Sequence, residues 1–198
     1  MKALATTLPG VVVIEPDVYE DERGFFLETY SRERYRDAGI DDEFVQDNDS
    51  HSRVGVLRGL HYQDMSAPMA KLVRCSAGAI LDVAVDLRVG SPTFAKWYAV
   101  EITAANFRQI FVPVGFGHGF LALSEEADVE YKCTGYYNRV AEGVIAWNDL
   151  EIGIDWPEKN PILSPRDAAG LSLWEYMRKP AFVYSPGSFA GARREDQP

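Results

Sequence analysis

The sequence has few of the residues that mark extracellular, membrane or nucleic-acid-binding proteins. Its only two cysteines, Cys75 and Cys133, are too few for a disulfide framework. No apolar run reaches the roughly 18 residues that a membrane-spanning helix needs, and the first residues are too weakly apolar for a secretory signal. Lysine and arginine total 20 against 30 acidic residues, and the net charge of −10 argues against a nucleic-acid partner. We therefore expect a cytoplasmic protein with reduced cysteines and no membrane association.

Short strand patterns fill most of the 198 residues. The run Leu81–Arg88 alternates strictly, with apolar residues on one face and a second face that begins at Asp82. About ten short strands at such close spacing are typical of a β-sandwich or a small barrel. The other predicted strands are Val11–Ile14, Gly24–Thr29, Val54–Tyr62, Lys71–Cys75, Trp97–Ile102, Arg108–Val112, Gly119–Leu123, Val129–Thr134 and Gly143–Trp147.

Helices are predicted only at Ser31–Ala38 and from Ser164, where a serine cap is followed by a proline and by an acid at the third helical position. The length favours one domain, over residues 1–184. Residues 185–198 are rich in glycine, serine and charge, and we expect a loose tail there.

The segment Pro113-x-Gly115-x-x-His118 resembles the second sequence motif of cupins, a family of small β-barrels. The first cupin motif supplies most metal ligands through His-x-His and a following glutamate. Here that place has His61-Tyr62-Gln63, and positions 64–68 contain no glutamate. A cupin metal centre needs about three or four ligands. The resemblance therefore predicts a mainly β, cupin-like jelly-roll barrel with a few short helices and no metal; a metal-dependent cupin oxygenase is the alternative.

Without a metal, a histidine in a pocket is a candidate general base, because its ordinary pKa lies near neutrality. His61 and Arg58 would face opposite sides of a regular strand, so a shared site requires a bulge, for which Gly59 is the natural place. Lys71 is either a solvent-facing charge or, beside a histidine inside a barrel, a group that stabilises an anion.

Two further residues have a structural and a functional interpretation. Asp167, in Ser164-x-x-Asp167, either completes a helix capping box or orients a catalytic histidine, and the two roles are compatible. Tyr131 is either a core tyrosine with a hydrogen-bonded hydroxyl or a proton donor. The pair Phe25-Phe26 suggests an interface or a surface that contacts a ligand. The pair Tyr136-Tyr137 suggests an aromatic surface on which a base could stack.

From Val11 to about Leu173 the chain closely resembles the dTDP-4-dehydrorhamnose 3,5-epimerase family of nucleotide-sugar epimerases. The motifs that carry the resemblance include Arg23-Gly24-Phe25-Phe26, Gln46-Asp47-Asn48-x-Ser50, Leu57-Arg58-Gly59-Leu60-His61-Tyr62-Gln63, Lys71-Leu72-Val73-Arg74, Gly115-Phe116-Gly117-His118-Gly119-Phe120, Tyr131-Lys132 and Leu163-Ser164-x-x-Asp167.

The resemblance implies an enzyme without a cofactor that inverts C3 and C5 of dTDP-4-dehydro-6-deoxyglucose, and it also implies a homodimer. His61 would be the base, paired with Asp167, which would fix the imidazole tautomer and favour its protonated form. Tyr131 would be the opposing acid, and Lys71 would lie by the 4-keto oxygen. The other implied substrate contacts are Arg58 and His118 at the sugar or diphosphate, Gln46, Asn48, Tyr137 and Glu142 at the nucleotide, and Arg23, Phe26 and Glu28 in a segment that reaches into the partner's site.

Two departures from the commonest family pattern are Met69-Ala70, in place of Gln-Gly, and Val114, in place of glutamate. They leave the implied base, acid and lysine unchanged. The alternatives that stay open are inversion of C3 alone, as in some relatives that serve antibiotic-sugar pathways, and a non-catalytic module that binds nucleotide sugars.

Overall fold

Two antiparallel sheets and a short hairpin contain the strands of the part of the chain that the structure describes. The computed structural model describes residues 1–186, and the greater part of the predicted tail, residues 187–198, lies outside the described residues. The strands of residues 1–186 are β1 (Lys2–Ala5), β2 (Val12–Glu15), β3 (Val18–Asp21), β4 (Gly24–Leu27), β5 (Gln46–Arg53), β6 (Leu57–Gln63), β7 (Lys71–Ala77), β8 (Ala79–Asp86), β9 (Trp97–Thr103), β10 (Gln109–Val112), β11 (Phe116–Ala122), β12 (Glu126–Cys133) and β13 (Glu142–Val144). The helices are α1 (Arg32–Asp37), α2 (Pro165–Ala168) and α3 (Leu173–Arg178).

The strand order alternates between the sheets, so that neighbours in sequence often lie in different layers. One sheet has six strands in the order β1-β2-β10-β7-β12-β5, the other has five in the order β13-β6-β11-β8-β9, and β3 pairs with β4. The predicted mainly β class is confirmed. No helix within residues 1–186 is long and apolar enough to cross a membrane.

Apolar side chains from both sheets meet between them. This inner cluster includes Val73 and Ile110 of the six-stranded sheet and Ile80 and Phe120 of the five-stranded sheet. The outer face of each sheet is covered as well, one by α3 and the segment around Phe182, the other by α1 and its neighbours. Burial on both faces fixes the register of the strands, because a shift by one residue would turn apolar side chains toward solvent.

Strand β5 was not predicted, because its side chains do not have the apolar alternation of a half-buried strand. Its inward-facing residues are Gln46, Asn48, Ser50 and Ser52, which are polar. The predicted strand Val54–Tyr62 was partly wrong: a turn joins β5 to β6, and β6 runs over Leu57–Gln63. Strands β1 and β3 and helix α3 were also missed; α3 begins with a capping box between Ser172 and Glu175.

The predicted bulge at Gly59 is confirmed. His118 of β11 lies opposite His61, whereas Phe120 lies opposite Arg58, so three steps along β6 match two steps along β11. Gly59 has a φ of +135°, and a Cβ there would lie 2.5 Å from the Cα of Gly119. Only glycine fits this position, and the extra residue brings Arg58 and His61 to the same side of the sheet.

Candidate active site

A cavity of about 440 Å³ opens between the two sheets. Its apolar part is formed by Val112, Phe116 and Phe120, which also belong to the cluster between the sheets. Its polar part brings together most of the residues singled out in the sequence: Gln46, Asn48, Arg58, His61, Lys71, His118, Tyr131, Tyr137 and Glu142. These residues come from strands that are far apart in sequence, so the cavity exists only in the folded chain.

His61 and Asp167 form a pair across 106 residues of sequence. His61 Nε2 lies 2.5 Å from Asp167 Oδ1, and only 4% of the Asp167 side chain is exposed. The other carboxylate oxygen accepts a hydrogen bond from Ser164 Oγ at 2.7 Å, while Ser164 Oγ accepts one from Asp167 N. Asp167 therefore belongs to the helix cap and to the histidine pair at once.

An ionised carboxylate only accepts hydrogen bonds, so His61 carries its proton on Nε2 and has a lone pair on Nδ1. Burial raises the pKa of Asp167, but the hydrogen bonds from His61 and Ser164 outweigh it and the net pKa falls below the ordinary value. Asp167 thus stays ionised and keeps this tautomer in place.

The net pKa of His61 is lowered, although Asp167 favours the protonated form as expected. Burial is the largest cause, and the positive charges of Lys71 and Arg166 act in the same direction. The hydrogen bond to Asp167 raises the pKa but does not offset burial. The imidazole is therefore neutral near pH 7 and able to accept a proton.

Lys71 and Tyr131 lie on the facing wall, on adjacent strands β7 and β12. The register pairs Tyr131 with Val73 and Cys133 with Lys71, so the two side chains are diagonal neighbours on one face. Lys71 Nζ lies 5.7 Å from the centre of the Tyr131 ring. Burial lowers the pKa of Lys71 and raises that of Tyr131, which keeps the phenol protonated.

The Lys71 ammonium group and the Tyr131 hydroxyl are both left without a hydrogen bond or ion pair to the described residues. Among residues 1–186, Lys71 Nζ has no ion pair or hydrogen bond, and the Tyr131 hydroxyl has no hydrogen-bond partner. No buried side-chain nitrogen or oxygen in that range lacks a partner, so both tips are accessible from the cavity. The interpretation of Tyr131 as a core residue with a bonded hydroxyl is therefore wrong, as is that of Lys71 as a charge directed to bulk solvent.

A chain of hydrogen bonds lines the mouth of the cavity. Gln46 Nε2 donates to Asn48 Oδ1 at 3.0 Å, and Gln46 Oε1 accepts from the backbone N–H of Tyr137 at 3.1 Å. The Tyr137 hydroxyl donates to Glu142 Oε2 at 3.1 Å. Gln63 fixes the same loop, since its side chain contacts the backbone of residues 136 and 138.

Arg166 is a cavity residue that the sequence analysis missed. It donates to Glu142 Oε2 at 2.5 Å, and its Nη2 lies 3.3 Å from His61 Nε2. Its position next to Asp167 in α2 was a usable signal, because a helix of one turn places neighbouring side chains near the same site. Arg58, Lys71 and Arg166 therefore give the cavity three cationic side chains.

Strand β5, which precedes β6 in sequence and lies in the other sheet, fixes the side chain of Arg58 by two hydrogen bonds. Its Nε donates to Ser52 Oγ at 3.0 Å and its Nη2 to the carbonyl oxygen of His51 at 2.9 Å. Nη1 makes no hydrogen bond with residues 1–186 and is left for a ligand. The side chain of His51 points elsewhere and pairs with Asp128 on the surface, at 2.6 Å.

Arg23, Phe26 and Glu28 do not line the cavity of their own chain. The Arg23 side chain is 89% exposed and pairs with Asp21, and Glu28 pairs with Arg34. Phe26 is 69% exposed on the hairpin β3–β4. Arg23 therefore does not lie beside Arg58 and Lys71 within one chain.

The residues present do not fit a cupin metal centre. His61 and His118 each direct Nε2 at a carboxylate, Asp167 and Asp82 respectively. Within the described part of the chain, no group of three or more histidine, cysteine, aspartate or glutamate side chains is placed to hold a metal ion. No step of the chemistry below is therefore routed through a metal.

A cupin-like barrel that places a carboxylate-paired imidazole, a phenol and an ammonium in one cavity defines a class of proteins equipped for proton transfer at carbon. A model of the family "dTDP-4-dehydrorhamnose 3,5-epimerase" matches residues 5–175, and the chain belongs to that family. It is an epimerase by family, and the cupin-like architecture expected from the sequence is confirmed.

The relatives include proteins named for each of the two stereochemical outcomes. A dTDP-4-dehydrorhamnose 3,5-epimerase of Shigella flexneri is 48% identical over 171 residues, which cover 86% of this chain and 94% of that protein. A dTDP-4-dehydrorhamnose 3-epimerase of Streptomyces niveus is 41% identical over 169 residues, with coverages of 85% and 82%. The crystal structure of the 3,5-epimerase of Legionella pneumophila in complex with dTDP-4-keto-L-rhamnose has a TM-score of 0.89 at 46% identity and covers 93% of this chain and 98% of its own.

Proposed function

We propose that this protein inverts C3 and C5 of dTDP-4-dehydro-6-deoxy-D-glucose and gives dTDP-4-dehydro-L-rhamnose. The observation that carries the proposal is the placement of His61 on one wall of the cavity and of Lys71 and Tyr131 on the facing wall. A sugar ring between the walls has a base on one face and an acid on the other, which is the arrangement that inversion requires.

The first step removes a carbon-bound proton. The 4-keto group acidifies the hydrogens on C3 and C5, and His61 Nδ1 takes one of them while Asp167 stabilises the imidazolium through Nε2. The electron pair of the broken C–H bond moves to the keto oxygen and forms an enolate. Lys71 Nζ, in its protonated form, donates a hydrogen bond to that oxygen in a cavity from which water is displaced.

The second step returns a proton to the same carbon from the opposite face. The Tyr131 hydroxyl donates it, the enolate reverts to the ketone, and the configuration at that carbon is inverted. One turnover leaves His61 with an added proton and Tyr131 without one, so both groups must exchange protons with solvent before the next inversion. Solvent hydrogen therefore enters the product.

The rest of the site would bind the nucleotide diphosphate. Arg58 and Arg166 supply cationic donors for phosphate oxygens, and His118 is a further contact to the sugar or diphosphate. The nucleoside would be bound at the mouth of the cavity by Gln46, Asn48, Tyr137 and Glu142. This placement of cations explains how a chain of charge −10 can take an anionic substrate.

We also propose that the protein is a homodimer in which the hairpin β3–β4 of one subunit completes the site of its partner. Phe25 and Phe26 are 59% and 69% exposed, and Arg23 has an almost fully exposed side chain. Two exposed phenylalanines and an exposed arginine on one hairpin are suited to cover the open side of the cavity in a second subunit. A cytoplasmic location remains a prediction from the sequence.

The test is proton NMR of the product formed from dTDP-4-dehydro-6-deoxyglucose in deuterated water. Deuterium at both C3 and C5 with the L-configured product is the expected result. Label at C3 alone identifies a 3-epimerase, and an unlabelled, unchanged sugar overturns the proposal.

A matched pair of variants separates catalysis from binding. His61→Asn is expected to lose at least about 100-fold in turnover while it still binds dTDP, which excludes a binding-only module. His51→Asn removes a histidine that also pairs with an aspartate but lies outside the cavity, and its turnover is expected to equal that of the wild type. Full activity in the presence of a chelator would exclude the metal-dependent alternative.

A further inference from the structure

A second histidine–carboxylate pair borders the same cavity and has no part in the steps above. His118 Nε2 lies 2.9 Å and 3.1 Å from the two carboxylate oxygens of Asp82. Asp82 lies on β8 and is fully buried, whereas His118 lies on the neighbouring strand β11 and lines the cavity.

The stability of the barrel does not account for this pair. Asp82 is fully buried, and removing a carboxylate from water costs more free energy than one hydrogen-bonded pair regains. Apolar residues of similar volume would fill the position at least as well. A charged pair in such a place indicates a role at the site that it borders.

The geometry gives His118 a defined chemical form. Asp82 can only accept hydrogen bonds when ionised, so the proton of a neutral His118 lies on Nε2 and the lone pair lies on Nδ1. Nδ1 has no partner in residues 1–186, and that part of the chain contains no buried side-chain nitrogen without one, so Nδ1 is accessible.

The register shows where Nδ1 is accessible. His118 lies directly opposite His61 on adjacent strands, and the two imidazoles share the face that lines the cavity. We therefore infer that Nδ1 of His118 faces the cavity in which the sugar would bind, and that Asp82 lies on the opposite side of the imidazole.

We propose that Asp82 is a positioning residue: it holds His118 in the Nε2–H tautomer so that Nδ1 accepts a hydrogen bond from a hydroxyl group of the substrate sugar. Asp82 does not touch the substrate and acts on it through His118; its charge also raises the pKa of Lys71, but less than burial lowers it. The assignment rests on the proposed function for the identity of the ligand, but the tautomer itself does not depend on it.

The kinetic test is a double-mutant cycle with Asp82→Asn, His118→Ala and the double variant. Asp82→Asn conserves shape, and it is expected to lower kcat/KM by about 10- to 100-fold, as removal of carboxylates that orient histidines does at metal sites. In the His118→Ala background the same substitution is expected to have a clearly smaller effect, limited to the loss of a negative charge near Lys71. Equal losses in the two backgrounds would show that Asp82 acts independently of His118 and would overturn the proposal.

The control is Asp128→Asn, because Asp128 also contacts a histidine, His51, but on the exposed surface. Its kcat/KM is expected to match that of the wild type. Circular dichroism and urea unfolding establish which variants are folded.

A second measurement needs neither substrate nor a folded Asp82 variant. In wild-type protein labelled with ¹⁵N-histidine, the His118 signals, assigned by their loss in His118→Ala, are expected to show the Nε2–H tautomer. A proton on Nδ1 would overturn the proposal. If the wild type fails to epimerise the sugar while His118 has the expected tautomer, the proposed function fails and the orienting role of Asp82 stands.

Discussion

At the scale of single residues, the charges around His61 determine its use as a base. Asp167 alone would raise the pKa of His61, and an imidazole that is already protonated at neutral pH cannot take a proton from the substrate. Burial and the cations Lys71 and Arg166 lower its pKa, so the ring is neutral yet has a partner ready to stabilise its charged form. This combination suits a base that must gain and lose a proton in each inversion.

The acid limb of the pH profile follows from this balance. Activity requires neutral His61, so log kcat/KM is expected to rise with pH through a pKa below 6.5, the ordinary value for histidine, and then level off. Arg166→Gln removes a positive neighbour and should move the limb to higher pH. A wild-type limb above 6.5, or a shift to lower pH in the variant, would contradict the assigned balance of charges.

Lys71 is expected to set the alkaline limb. Burial lowers its pKa below the ordinary 10.5, whereas burial raises the pKa of Tyr131 and favours the protonated phenol, so we assign the alkaline limb to the ammonium. Loss of that charge removes the stabilisation of the enolate, and kcat should fall. Lys71→Met is expected to lower kcat by about 100- to 1000-fold, and Lys71→Arg, which does not titrate in this range, should lack the alkaline limb if it retains activity.

Tyr131→Phe separates proton removal from inversion. The hydroxyl has no hydrogen-bond partner in residues 1–186, so its loss is expected to change the free energy of unfolding by no more than about 0.5 kcal/mol. His61 can still remove a proton and return a deuteron to the same face in deuterated water. The expected result is solvent exchange without inversion, with net epimerisation reduced by about 100-fold or more. Unchanged inversion would exclude Tyr131 as the donor.

At the scale of elements, the site depends on one irregularity in β6. The bulge at Gly59 places Arg58 and His61 on one side of the sheet, and it is possible because β11 has Gly119 at the point of closest approach. Helix α2 makes a comparable contribution with a single turn, because its cap places Asp167 and Arg166 beside His61.

Gly59→Ala tests the bulge, and Gly39→Ala is the matched control. Both glycines have a positive φ, but a Cβ at Gly39 has no atom within 4 Å, whereas at Gly59 it collides with backbone. The control is expected to lose about 1–2 kcal/mol from backbone strain, and Gly59→Ala should lose clearly more, measured by urea unfolding. Equal losses would mean that the close approach of β6 and β11 does not restrict this position.

At the scale of the whole molecule, the proposed dimer makes the two subunits complementary. Arg23→Ala and His61→Asn are each expected to be nearly inactive alone. In a mixed dimer one site combines His61 of the first subunit with Arg23 of the second and is intact, and the other site has both changes. Co-expression of the two variants should restore up to about half of the wild-type activity per dimer. No restoration in purified mixed dimers would mean that Arg23 serves its own subunit or no site at all.

The sequence predicted the strand-rich fold because its signals are local, whereas the family resemblance implied most of the residues that line the cavity. Alternation identified strands such as β8, and the motifs around His61 and His118 identified the barrel. Strand β5 was missed because a strand whose inward-facing side chains are polar lacks the apolar pattern. Asp82 was missed because nothing in its own segment shows which histidine it approaches, and Arg166 because its one signal was its position beside Asp167.

The sequence by itself determined the residue types, the family pattern and the need for a bulge at Gly59, since backbone conformation and periodicity depend on neighbours in the chain. Only the tertiary structure decided that Lys71 and Tyr131 face the cavity, that Asp167 is both cap and partner, and that burial outweighs Asp167 in the pKa of His61. The reason is physical: these properties depend on desolvation and on contacts across as many as 106 residues, and both arise only when the two sheets pack together.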